Sequence, residues 1–70
     1  MENINIRFGK HLRELRKRRK LTQEGLSETS GLDYKYIQRL EGKNPSSPTL
    51  NSLEKLAKAF HVSISELVKF

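Results

Sequence analysis

Apolar residues recur along this chain at helical spacing, with polar residues between them. Ile4, Phe8, Leu12 and Leu15 stand at i, i+4, i+8 and i+11, one stripe of a helix over residues 4–19. Thr22 then suits the cap of a helix over 23–29, its hydroxyl accepting from an otherwise unpaired N–H. Gly25 weakens that helix by about 1 kcal/mol against alanine. It also stands where Glu or Gln would complete a capping box, so packing through Leu26 must hold the helix. Gly31 fits the positive-φ residue that ends a helix. Asp33 caps a third helix over 33–41, with Ile37, Leu40 and Leu32 turned inward. Tyr34, Lys35, Gln38 and Arg39 are left on its outer face.

The stretch from Gly42 to Pro48 has the turn chemistry of a loop. Ser46 or Ser47 is expected to cap a fourth helix over 48–60, with Pro48 in its first turn, where a missing N–H is harmless. Leu50, Leu53, Leu56, Ala57 and Phe60 form its buried side. Ser63 and Glu66 make a capping box for a last helix over 64–69, carrying Ile64, Leu67 and Val68. The pattern predicts an all-α, compact five-helix bundle, one domain over residues 1–70, with no strand pattern and no repeat. Its centre, residues 21–43, reads as a helix-turn-helix, in which the first helix steadies the second for presentation.

Charge sharpens the picture. Fourteen Lys and Arg against eight Asp and Glu give a net charge of +6. Eight of those cations fall between residues 7 and 20, opposed only by Glu14, a density that favours a polyanionic partner: nucleic acid or an anionic membrane surface. The first helix could lie on a membrane as a basic amphipathic element. Its apolar stripe is narrow, however, and three further stripes are available to pack against it, so we read it as core. No apolar run approaches the ~20 residues of a membrane span, and the start of the chain lacks the apolar stretch of a signal peptide. The chain has no cysteine, hence no disulfide and no Cys-based zinc site, which fits a reducing compartment. These features place the expected location in the cytoplasm. His11 and His61 lie far apart, and no metal-ligand spacing, phosphate-cradling glycine loop or nucleophile elbow is present. Catalysis, a cofactor and a small-molecule ligand are therefore not expected, and both histidines read as surface or boundary residues.

The segments LRELRK (12–17), LTQEGLSETSGL (21–32), YIQRLEGK (36–43), NPSSPTLNSLEKLAKAF (44–60) and VSISEL (62–67) carry a resemblance. The chain resembles the phage-repressor or Cro-like (XRE-type) helix-turn-helix regulators. Gln23, Ser27, Gly31 and Ile37 keep that family's spacing. The small residue permits close helix crossing, the glycine makes the turn, and the β-branched residue fills the interface. Gly25, Ser27 and His61 depart from residues usual in the family; His61 takes the place of a helix-ending glycine, and histidine tolerates positive φ better than most residues. The length suits a small phage-type repressor or a restriction–modification controller protein.

The resemblance implies a lambda-repressor-like DNA-binding domain whose third helix lies in the major groove with its N-terminal residues against base edges. Carried over, that implicates Tyr34, Lys35 and Arg39 in base reading. Arg and Lys can reach guanine O6 and N7, and Tyr34 a thymine methyl or a phosphate. Tyr36 stands at the margin, either reading bases or packing its ring along the fourth helix. Thr22 and Gln23 begin a helix whose free N–H groups suit a phosphate. Lys43 and Asn44 form either a second phosphate clamp or a plain turn. The resemblance also implies a structural ion pair of Arg16 with Glu41. Broken from one side, it would cost ~3–5 kcal/mol if sheltered; if exposed, it is worth about 0–1 kcal/mol.

Val62, Ile64, Leu67, Val68 and Phe70 are more apolar residues than one small core obviously uses. They serve either a homodimer interface or the closure of the bundle. The function expected is sequence-specific binding of double-stranded DNA as a transcriptional regulator, a repressor occupying a near-palindromic operator as a dimer. The competing reading is a protein-interaction module, such as an antitoxin or a regulator's partner, built on the same fold.

Overall fold

The computed structural model describes residues 2–70. Five helices occur among them: α1 (Ile4–Arg18), α2 (Gln23–Ser30), α3 (Tyr34–Leu40), α4 (Leu50–Ala59) and α5 (Ile64–Leu67). None is long and apolar enough to cross a membrane. The stripes read from the sequence meet in one core of Phe8, Leu12, Leu26, Ile37, Leu40, Leu56, Ala57, Ala59, Phe60 and Leu67. Leu15, Leu21, Leu32, Tyr36, Leu53 and Val62 pack around it. Helix α2 lies against α3 and α4, α1 against α3, and α5 against α4. The short α3 is thereby held from two sides.

The caps explain where helices start. Asn3 Oδ1 accepts from the Ile6 N–H at 3.0 Å and opens α1, a cap the apolar stripe does not reveal. Thr22 Oγ1 accepts from the Gly25 N–H at 2.9 Å, as expected. Asp33 occupies the cap position of α3, but its carboxylate makes no cap bond. Its backbone carbonyl alone accepts, from the Tyr36 and Ile37 N–H groups. Helix α4 begins later than predicted. Thr49, not Ser46 or Ser47, is its cap, accepting from the Ser52 N–H at 3.0 Å. Ser47 instead donates to Asn5 Oδ1 at 3.1 Å and ties the loop to α1. Leu50 becomes the first residue of α4 and is 78% exposed, so it leaves the predicted core. Ile4 also leaves it, at 65% exposure, because the first turn of α1 extends past the packed layers. The Ser63–Glu66 capping box forms as predicted.

Three helices end in a left-handed residue, and only one of those is glycine. Gly31 has φ 79°, Lys20 φ 56° and His61 φ 58°. At Lys20 the turn closes with Leu21 N–H donating to the Arg16 carbonyl at 2.9 Å. At His61 the matching bond runs from Val62 to Ala57 at 3.0 Å. These are the two-bond endings that satisfy otherwise orphaned carbonyls. Beyond α5 the chain turns back on α1. The Phe70 ring stacks on His11 at 5.2 Å, lies 6.0 Å from the Phe8 ring, and carries the Arg7 guanidinium 5.3 Å from its centroid.

Candidate nucleic-acid interface

A polar joint fixes α3 against α1 and α2. Arg16 donates from Nε to Glu41 Oε2 and from Nη2 to Glu41 Oε1, both at 2.8 Å, a bidentate pair. Its third nitrogen, Nη1, donates to the Leu21 carbonyl at 2.9 Å. Gln23 Nε2 adds a bond to Glu41 Oε1 at 3.2 Å. The side chains of Arg16 and Glu41 are only 11% and 3% exposed, so the sheltered alternative holds. The hydrogen bond to Glu41 holds the Arg16 guanidinium above its ordinary pKa. Burial opposes that shift and the carboxylate charge adds to it. All three guanidinium nitrogens and both carboxylate oxygens thus have a partner. Gln23 is drawn into this joint, which orients its amide at the start of α2.

Gly9 is the second fixing point. A Cβ there would stand 2.3 Å from the Leu40 carbonyl oxygen, so only glycine lets α1 approach the end of α3 this closely.

On this footing α3 turns Tyr34, Lys35, Gln38 and Arg39 outward, all of them exposed. Lys43 and Asn44 follow in the loop and are exposed as well. Beside Tyr34 opens a cleft of about 490 Å³ bordered also by Arg13, Thr22 and Gln23. The structure therefore brings the proposed phosphate residues of α2 to the edge of the face that carries Tyr34. Tyr36 is placed differently. It is partly buried and packs against the core, one turn before Arg39 on the same flank of α3. Leu67 is fully buried and belongs to the core, and Val62 packs on it, so neither is free for a subunit interface. Ile64, Val68 and Phe70 remain 38%, 41% and 42% exposed.

Two residues gain importance that sequence reading had not assigned to the site. Arg13 borders the cleft, and its position one turn before Arg16 was the available signal. Gln38 donates from Nε2 to the Tyr34 hydroxyl at 3.1 Å, and its i+4 spacing from Tyr34 was the corresponding sign.

Comparisons with known proteins identify the family and the fold. A family model described as helix-turn-helix (HTH_3) matches residues 12–67. The HTH-type transcriptional regulator PuuR of Escherichia coli (strain K12) is 38% identical over 66 residues, which cover 94% of this chain and 35% of that protein. The immunity repressor protein of Bacillus phage phi105 is 35% identical over 60 residues, covering 86% of this chain and 41% of the repressor. The chain thus spans little more than a third of the length of these relatives. The crystal structure of the restriction-modification controller protein C.AhdI from Aeromonas hydrophila superposes with a TM-score of 0.83 at 38% identity, covering 90% of this chain and 94% of that one. Those relatives are named as regulators and repressors, not as enzymes. With its all-helical fold and a model match over most of its length, the chain belongs to the helix-turn-helix (HTH_3, XRE-type) family of transcriptional regulators.

Proposed function

We propose that this domain reads a specific double-stranded DNA sequence with the outward face of α3 and regulates transcription by occupying an operator as a homodimer. The observation that carries the reading is the joint of Arg16, Glu41 and Gln23. It fixes the end of α3, while among the described residues the Lys35 and Arg39 side chains have no hydrogen-bond or ion-pair partner. A protein-interaction surface would not require two unpaired cations on a helix braced in this way. In this account Lys35 and Arg39 reach guanine acceptors, and Tyr34 stands beside them. Thr22, Gln23, Lys43 and Asn44 grip phosphates on either side. The outcome is repression by exclusion at a near-palindromic site in the cytoplasm, with two copies of α3 about 34 Å apart in successive major grooves.

Dimerisation uses Ile64, Val68 and Phe70, the exposed apolar residues around α5. Selection of bound sequences from a random duplex pool tests the proposal. It is expected to enrich a motif of two inverted half-sites one helical turn apart, with affinity falling linearly on a log–log scale as salt rises. Salt-sensitive retention without any enriched motif would contradict it.

A further inference from the structure

We propose that Gln38 is a positioning residue for Tyr34, and that the two act as one unit that presents the phenolic O–H outward. This inference rests on the DNA-reading function above and adds to it a direction of hydrogen bonding. Tyr34 and Gln38 lie one turn apart on the exposed face of α3, spacing at which side chains meet. The Gln38 amide nitrogen donates to the Tyr34 hydroxyl oxygen at 3.1 Å. A tyrosine hydroxyl has one proton to give. With its oxygen already accepting from Gln38, that proton is directed to an acceptor outside the protein.

The ring lies between two open clefts. Tyr34 borders the cleft of Arg13, Thr22 and Gln23 on one side and a second one with Glu24, Ser27 and Glu28 on the other. Engagement with Tyr34 also changes Gln38. A free glutamine can offer its oxygen and nitrogen together to adenine. Here one of the two amide N–H groups is given to Tyr34, which ties the orientation of the fork to the tyrosine. The phenolic O–H therefore selects a lone-pair acceptor: guanine O6 or N7, thymine O4, or a phosphate oxygen at the edge of the groove. It disfavours the amino groups of adenine and cytosine.

The test uses a duplex carrying the motif enriched by the parent chain, with Tyr34→Phe, Gln38→Met and the double variant. All three are expected to fold, since both side chains lie on the surface; thermal melts check this. Each single change is expected to weaken binding on the order of 3–10-fold, the size of one hydrogen bond. The double variant should bind no more weakly than either single one. Repeating the selection with each single variant locates the acceptor. Loss of preference at the same base pair in both identifies a base edge. An unchanged motif, with both variants insensitive to a methylphosphonate that weakens the parent, identifies a phosphate.

Additive losses would overturn the proposal, because Gln38 would then contact DNA independently, and so would an unaffected Tyr34→Phe variant. The pair is also accessible without DNA. The Gln38 side-chain amide resonances should move in Tyr34→Phe, and unmoved resonances would refute the hydrogen bond itself. If those resonances move but the parent enriches no motif, the DNA-reading function fails and takes the inference with it, while the pair stands.

Discussion

At the joint between α1 and α3 a bidentate ion pair is nearly closed off from water, whereas beyond α5 the apolar side chains of Ile64, Val68 and Phe70 stay about 40% exposed. The first region buries charge and satisfies it; the second exposes apolar surface and leaves part of it uncovered. A sheltered ion pair adds little net stability compared with apolar packing, because desolvating two charges offsets most of their attraction. What it supplies here is a fixed orientation. Arg16 and Gln23 converge on Glu41, the residue that ends α3, so the helix cannot rotate without breaking several charged hydrogen bonds. The apolar end makes no such directional demand. Phe70 rests on His11 and Phe8, but Ile64 and Val68 have no comparable cover. Under the proposed function each region meets a different partner: a charged, directional one at α3 and an apolar one at α5.

Substitutions should separate the two regions, beginning with the largest effect. Glu41→Ala leaves the Arg16 guanidinium sheltered without its counter-charge and is expected to cost ~3–5 kcal/mol in denaturant unfolding. Combining Arg16→Met with Glu41→Met should recover much of that loss, since an apolar replacement removes both desolvated charges. The recovered protein is expected to bind DNA less well than the parent, because stability returns without the orientation of α3. Next comes Gly9→Ala. Its methyl would collide with the Leu40 carbonyl, so α1 and α3 must separate, at roughly 1–3 kcal/mol as for other overpacked sites.

The apolar end should respond in association, not in folding. Val68→Asp and Ile64→Asp are expected to change stability by about 0.5 kcal/mol or less, as exposed substitutions do. In sedimentation they should halve the mass of the species formed. Leu67→Asp, buried in the core, should unfold the chain instead and say nothing about assembly. The smallest effect belongs to Lys20→Gly. Relief of a left-handed lysine is largely offset by what glycine loses in chain entropy, for a net gain of roughly 0–0.5 kcal/mol.

Much of this was legible in the chain because helices are local. The 3.6-residue stripes, the Thr22 cap, the Gly31 turn and the Ser63–Glu66 box depend on residues within one or two turns of each other. Periodicity reports a face, however, and not how deep each end of it lies, which is why Ile4 and Leu50 fell outside the core. At the start of α4, Ser47 was as good a cap by type as Thr49. A partner on α1, Asn5, decided between them. Gly9 carried no local signal, since its reason is a carbonyl across the bundle. For the interface, the outward residues of α3 followed from spacing alone. That Gln38 would engage Tyr34, and that Tyr36 would turn to the core, required the packing around them.

The central claim is that α3 reads sequence through Lys35 and Arg39, and equilibrium binding to two duplexes of equal length tests it most directly. One carries the motif the parent enriches and the other the same bases scrambled. The parent should prefer the first by on the order of a thousandfold or more. A folded Lys35→Ala/Arg39→Ala variant should bind both duplexes alike, with the salt dependence of its remaining phosphate contacts. If that variant kept the parent's preference, the reading face would lie elsewhere and the account would be wrong.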